Sequence, residues 1–365
     1  MRQKFITIVI ICFGMLLCFH ANAQETGKQE IGKQKNNKLV VALARSIITP
    51  AEETFAYAVP KQLGYFDDEN LDVEILPTNG STAALQAVAS GSADIGFASS
   101  TNIAAAVDKG VPLKAFAGLT VRWPYFIGVP QNSDIKTIAD LKGKRIGVIS
   151  LASASYSDLK ANLQLAGLSE SDVTIIPIGA GPRAAVAIQA NEVDAFDSYS
   201  DSFTAMRQNG IDLRFLERPA EIENLFSVTM VTSDKTLKEK PEQLTAFARA
   251  AYKGILYTKF EPQNALNLAF AEFPQLPGAN KEGDEKAKNT AEVMMTALND
   301  SIPYEQENPA DWGEWLNLSD ERWNHLLSFA YETGLTKKRL SVEQIWDGSL
   351  MPEIYNFDMT TIIKK

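Results

Sequence analysis

The sequence predicts an α/β protein of two similar lobes followed by a helical C-terminal part. Three observations carry that expectation. From Lys38 onward, short apolar segments alternate with amphipathic ones of helical period, the pattern of a mainly parallel sheet with helices on its faces. The chain echoes itself at an offset of one hundred residues. After Phe226–Val231 the helical period runs almost to the end.

Taken in order, the chain opens on the basic residues Met1-Arg2-Gln3-Lys4, an apolar run of fifteen residues from Phe5 to Phe19, and the small-residue pattern Ala21-Asn22-Ala23. This reads as a secretory signal peptide cleaved after Ala23, because the run is short for a bilayer and ends in a cleavage pattern. A lipid anchor on Cys18 is not expected, since Leu17 stands where a small residue is needed. Gln24 to Asn37 is polar and charged, and reads as a disordered lead. A strand at Leu39–Leu43, a helix ending at Gly64 and a strand at Leu71–Leu76 follow.

Without a gap, Val73–Asp94 matches Val173–Asp194 at six of twenty-two positions: Val73/Val173, Ile75/Ile175, Pro77/Pro177, Ala84/Ala184, Ala87/Ala187 and Asp94/Asp194. The surrounding order of strand, glycine-bearing loop and helix repeats with it, which implies two related lobes. The chain should cross near the strand Phe126–Val129 and return at Phe226–Val231, so that 38–126 with 227–365 form the first lobe and 127–226 the second. Two crossings make a hinge. In the helix Glu242–Lys259, Leu244, Phe247, Ala248, Ala251 and Ile255 share one buried face.

Both cysteines, Cys12 and Cys18, fall in the leader, so the mature chain relies on burial and has no disulfide or thiolate metal site. The formal charge is −10, and −12 once Arg2 and Lys4 leave with the leader. That balance argues against nucleic acid and anionic membrane as partners. Catalytic constellations are scarce. The single histidine outside the leader, His325, falls opposite the stripe Trp323, Leu326, Leu327 and Ala330 and reads as solvated. No nucleophile elbow, zinc-protease motif, P-loop or G-x-G-x-x-G run occurs. Asp67-Asp68-Glu69 sits in a turn and reads as solvated; no metal or cofactor is expected. Trp312, Trp315 and Trp323 read as core.

Binding chemistry is better represented. Asn79-Gly80-Ser81-Thr82 and Gly179-Ala180-Gly181-Pro182 each precede a helix, whose free N–H groups and positive dipole end can receive an anionic or carbonyl group. Plain capping by Ser81 or Thr82 explains the first loop equally well. Ser99-Ser100-Thr101, Ser153-Ala154-Ser155-Tyr156 and Asp197-Ser198-Tyr199-Ser200-Asp201 lie at the carboxyl ends of strands, where open α/β sheets bind ligands. Arg45 is a candidate charge partner. Trp123 reads as a stacking face or as hinge packing, and Asp197 or Asp201 could instead pair with Arg183.

The runs Gly64-Tyr65-Phe66, Leu71–Ile75, Ala84–Phe97 and Ile138–Lys144 resemble the substrate-binding proteins of ABC importers in the NMT1/THI5-like group, relatives of sulfonate, taurine and nitrate binders. The resemblance covers about Lys38 to Tyr257. It implies the type II periplasmic-binding fold, a closing cleft, a periplasmic monomer, and a permease with its ATPase as partners for a captured small molecule. It also implies ligand positions at Arg45-Ser46, Asn79–Thr82, Ser99–Thr101, Ser153–Tyr156, Gly179–Gly181 and Asp197–Tyr199. One branch of the group makes a thiamine pyrimidine with a cysteine-rich motif and histidine; after its leader this sequence offers no cysteine and one histidine, the solvated His325. The ligand stays open between a sulfonate- or carboxylate-like anion and a nitrogen heterocycle.

Overall fold

The computed structural model describes residues 37–222, 224–279, 283–302 and 312–363. The expected signal peptide, and all of the expected lead except Asn37, lie outside the described residues. Ten strands form two sheets: β1 Lys38–Leu43, β2 Asp72–Pro77, β3 Ile95–Ser99, β4 Leu113–Gly118, β5 Tyr125–Pro130, β6 Arg145–Val148, β7 Thr174–Pro177, β8 Ala195–Tyr199, β9 Leu213–Phe215 and β10 Val228–Ser233.

The first sheet runs β2-β1-β3-β10-β4 and the second β7-β6-β8-β5-β9. The two orders are one pattern. In each sheet three parallel strands are followed by an antiparallel strand that has just crossed from the other lobe, β10 in the first and β5 in the second. The crossings are the segments 119–124 and 216–227.

The sequence echo has a physical content in this arrangement. Asp94 accepts a hydrogen bond from the Val40 amide at 2.9 Å, and its own amide donates to Val40. Asp194 does the same with Arg145, whose amide lies 2.8 Å from the carboxylate. Each carboxylate ties the start of one strand to its parallel neighbour and meets a cation, Lys240 or Arg145, at 2.7 Å. The bonds from Arg145 hold the Asp194 carboxyl below the usual carboxylate range. Gly91 and Asn191, which differ in identity but hold equivalent places in the turn, both sit in the left-handed region, at φ 77° and 53°.

Side-chain alternation along the strands separates two cores on the faces of the second sheet. Ala195, Ile127 and Val129 face Ile146, Leu159 and Leu163, whereas Phe196 and Phe126 face Ile178, Phe203 and Met206. The C-terminal part is helical as expected. The helix Pro241–Phe260 buries Leu244, Phe247, Ala248, Ala251 and Ile255, and Phe247 stacks on Phe66 at 5.7 Å. Trp312, Trp315 and Trp323 are buried, and His325 is exposed on the helix Asp320–Glu332.

Candidate functional site

The carboxyl ends of β1, β6 and β8 and the starts of two helices surround a cavity of about 790 Å³. The first lobe supplies the loop from Leu43 to Pro50 and Asn79–Ser81; the second supplies Ser153–Ser155, Gly179–Arg183, Tyr199 and Asp201. A third wall comes from the helix Glu285–Ser301, through Asn289, Val293 and Asp300 among others.

The two helix starts are built alike. Ser81–Ala89 begins after Gly80, and Pro182–Gln189 after Gly181; neither has a side-chain cap. Ser81 does not cap its helix, because its hydroxyl accepts the Ser99 amide at 3.1 Å. Gly80 has φ 114° and lies where a Cβ would stand 2.7 Å from the Ala152 carbonyl oxygen, so only glycine lets the lobes approach here. Around it, the Thr82 amide donates to Ala152 at 3.1 Å and the Ser150 hydroxyl donates to Asn79 at 2.9 Å.

Arg45 is the cavity's central charge. Its Nη1 lies 2.7 Å from Asp201 Oδ2 across the cleft, its Nη2 lies 2.9 Å from Glu52, and its guanidinium covers the Tyr199 ring at 4.2 Å. Burial works against the Arg45 charge, but Asp201 and Glu52 outweigh it and raise the pKa further. Arg45, not Arg183, therefore takes Asp201, and Arg183 forms no ion pair among the described residues. Burial pushes the Glu53 carboxyl up to about 8 and Asp300 up to about 7, despite Arg45 near the first and the Ser200 hydroxyl, 2.6 Å away, on the second.

Of the residues singled out from sequence, Arg45, Ser46, Asn79, Gly80, Ser81, Ser153, Ser155, Gly179, Gly181 and Tyr199 line the cavity. Ser153 and Ser155 are partly committed to structure: Ser153 accepts the Tyr156 amide and donates to Ser150, and Ser155 accepts the Ile149 amide.

Seven others are not brought to the lining. Ser99, Ser100 and Thr101 turn inward; Ser99 bonds to Thr101 and Ser227, and Ser100 donates to the Phe226 carbonyl at 2.9 Å. The Thr82 hydroxyl accepts from Asn102. Tyr156 reaches Glu170 and lies under Lys160. Trp123 is hinge packing: its indole N–H donates to Asp158 at 2.7 Å, and its ring meets Tyr125 and Phe329 edge-on. Asp197 is fully buried behind the cleft. Neither of its oxygens receives a hydrogen bond, yet its side chain faces Asp158, to whose carboxylate Asp197 can donate once protonated. Burial holds Asp197 well above the carboxylate range and Asp158 at about 6, with Trp123 and Asn162 supporting the Asp158 charge.

Sequence reasoning passed over Glu52, Glu53, Tyr125 and Asp300 as site residues. Glu52-Glu53 stand seven and eight residues after Arg45, a spacing that a search for arginine partners would have flagged. Asp300 carries no such signal, because only the tertiary path of its helix brings it to the cleft.

The NMT1/THI5 like family profile matches residues 52–265. The chain belongs to that family. The riboflavin-binding protein RibY of Chloroflexus aurantiacus is 27% identical over 318 residues, covering 86% of each chain. A 4-amino-5-hydroxymethyl-2-methylpyrimidine phosphate synthase of Legionella pneumophila is 25% identical over 223 residues, covering 60% of this chain and 69% of that one. Among solved structures, the alkanesulfonate-binding protein SsuA from Xanthomonas axonopodis pv. citri, bound to MOPS, superposes with a TM-score of 0.62 at 20% identity, covering 85% of this chain and 98% of the other. That likeness gives the fold, the two-lobed periplasmic-binding architecture expected from sequence. The relatives and neighbours thus include both solute-binding proteins and a synthase.

Proposed function

We propose that this chain is an exported solute-binding protein that captures a nitrogen heterocycle in the interlobe cleft and delivers it to an ABC importer. The observation that carries the ligand class is the cavity's charge. One buried cation, Arg45, is already paired with two carboxylates, Glu52 and Asp201, and two further carboxyl groups, Glu53 and Asp300, line the same cavity with their pKa values raised by burial. A ring bearing N–H groups suits such acceptors and the aromatic wall of Tyr125 and Tyr199, whereas a sulfonate or carboxylate would meet an acidic surplus. A volume of about 790 Å³ also fits a flat multi-ring molecule better than a two-carbon sulfonate. RibY, by name a riboflavin binder, supports the same class.

Binding rather than chemistry is the preferred use of the site. Among the described residues, the lining contains neither histidine nor cysteine, and its one lysine, Lys286, is exposed. Delivery to a permease, and residence in the periplasm as a monomer, rest on the leader and on what the family's importer-linked members do. Native mass spectrometry of the exported protein, purified with its cargo, tests the proposal. A stoichiometric, chemically unchanged nitrogen heterocycle is the expected result. An anionic sulfonate as cargo, or a cargo converted during incubation, overturns it.

A further inference from the structure

We infer that Asp201 sets the charge of the ligand: it occupies Arg45 from within, and so excludes the anion that this arginine would otherwise bind. The inference rests on the cleft being the ligand site and deepens it by assigning the specificity to one residue.

Both terminal nitrogens of Arg45 are engaged. Nη1 holds Asp201 at 2.7 Å and Thr49 at 3.3 Å, and Nη2 holds Glu52 at 2.9 Å with a second, longer contact of 3.5 Å to Asp201. Tyr199 covers a face of the guanidinium at 4.2 Å. The Arg45 and Asp201 side chains are only 11% and 5% exposed, so this fork is spent in a water-poor place. Thr49 comes from the same loop as Arg45 and Glu52 from the helical turn that follows it, but Asp201 comes from the opposite lobe, 156 residues on. Its carboxylate thus stands where a ligand anion lodged between the lobes would have to reach the guanidinium.

Displacing Asp201 would leave its carboxylate buried without a cation, among Glu52, Glu53 and Asp300. An unpaired charge in such a place is a strong rejecting element, and rejection of one ligand class is as much a part of specificity as attraction of another. The remaining cations of the lining, Arg183 and Lys286, are exposed and give little compensation. A neutral ring with N–H groups needs no such displacement. It can use the acceptors and the Tyr199 wall while the interlobe pair stays closed.

The test uses isothermal titration of the whole exported protein with MOPS and, separately, riboflavin, comparing wild type, Asp201→Asn, Asp201→Ser and the double change Asp201→Asn with Arg45→Gln. Thermal melting establishes that each variant is folded. Wild type is expected to give no MOPS binding. At least one folded single variant is expected to bind MOPS at least about tenfold tighter, and the double variant to lose that gain. Clear MOPS binding by wild type overturns the inference, and this arm needs no variant to fold. Folded single variants that gain nothing overturn it as well. If wild type binds riboflavin but the variants gain no MOPS binding, the assignment of Asp201 fails alone. If wild type binds MOPS and not riboflavin, the nitrogen-heterocycle reading fails with it.

Discussion

Asp197→Asn should make the protein more stable at alkaline pH, although it removes a fully buried polar group's native partner chemistry. Asp197 and Asp158 face each other behind the cleft, with Trp123 and Asn162 donating to Asp158 at 2.7 and 2.9 Å. Burial raises both carboxyl groups, Asp158 from 3.8 to about 6 and Asp197 well above its ordinary value. A carboxyl raised in the folded state contributes stability that is complete below its unfolded value, near 4, and is lost as pH climbs through the folded value. The loss therefore begins near pH 4 and continues past 6. For Asp158 alone, a rise of about two pH units corresponds to about 3 kcal/mol.

An asparagine at 197 supplies a permanent donor to Asp158 and cannot ionise. Asp158 can then keep its charge on three donors, and the penalty of charging a second buried carboxyl disappears. Urea unfolding from pH 4.5 to 8.5 should show wild type losing stability toward alkaline pH more steeply than the variant. The variant should gain on the order of 1–3 kcal/mol at pH 8 and be equal or weaker at pH 4.5. Glu53 and Asp300, held at about 8 and about 7, titrate in both proteins, so the difference between the two curves isolates the pair. Parallel curves, or a variant less stable than wild type at pH 8, would refute the shared proton.

Two further substitutions test the geometry. Gly80→Ala places a methyl 2.7 Å from the Ala152 carbonyl oxygen and forces alanine to φ 114°, so the lobes should be held apart. Small-angle scattering should report a larger radius and calorimetry an affinity for the native cargo weaker by about tenfold or more; unchanged affinity would mean that this contact does not govern closure. Trp123→Phe deletes the 2.7 Å bond to Asp158 while keeping a ring against Tyr125 and Phe329. The expected loss is about 1–3 kcal/mol, read by urea unfolding, and an unchanged midpoint would remove the hydrogen bond from the stability of the hinge.

The lobes were legible because periodicity and repetition reinforce each other. Alternation along β5 and β8 decides which face each side chain meets, and Asp94 and Asp194 perform one structural task twice. The glycine-bearing loops were legible from glycines standing just before a helical period, although Ser81 and Thr82 also offered plain caps that the structure does not use. The electrostatics were not. The partner of Arg45 lies in the other lobe, and nothing local in either segment distinguishes Asp201 from Asp197. The third wall was out of reach too, because the helix Glu285–Ser301 has an ordinary amphipathic pattern and becomes a cleft element only by docking against the helix Ser200–Gln208. There Thr204 meets Thr296, and Gln208 donates to Asn289.

The duplication also explains why one strand end enters the site and its counterpart does not. Ser99, Ser100 and Thr101 end β3 at the positions that Tyr199, Ser200 and Asp201 take at the end of β8, one hundred residues on. The backbone treats them alike. The Ser100 amide donates to the Ser227 carbonyl at 2.8 Å and the Ser200 amide to the Pro124 carbonyl at 2.9 Å, each acceptor lying just before a strand that has crossed between lobes. The difference is side-chain reach. Three short hydroxyl residues satisfy themselves on Thr101, Ser227 and Phe226 without leaving the protein interior. A tyrosine and an aspartate at the first and third places are long enough to cross toward Arg45, and Ser200 between them turns to Asp300. Equivalent backbone positions thus gave one lobe a sealed strand end and the other a charged one, and the asymmetry places the interlobe ion pair on the cavity wall.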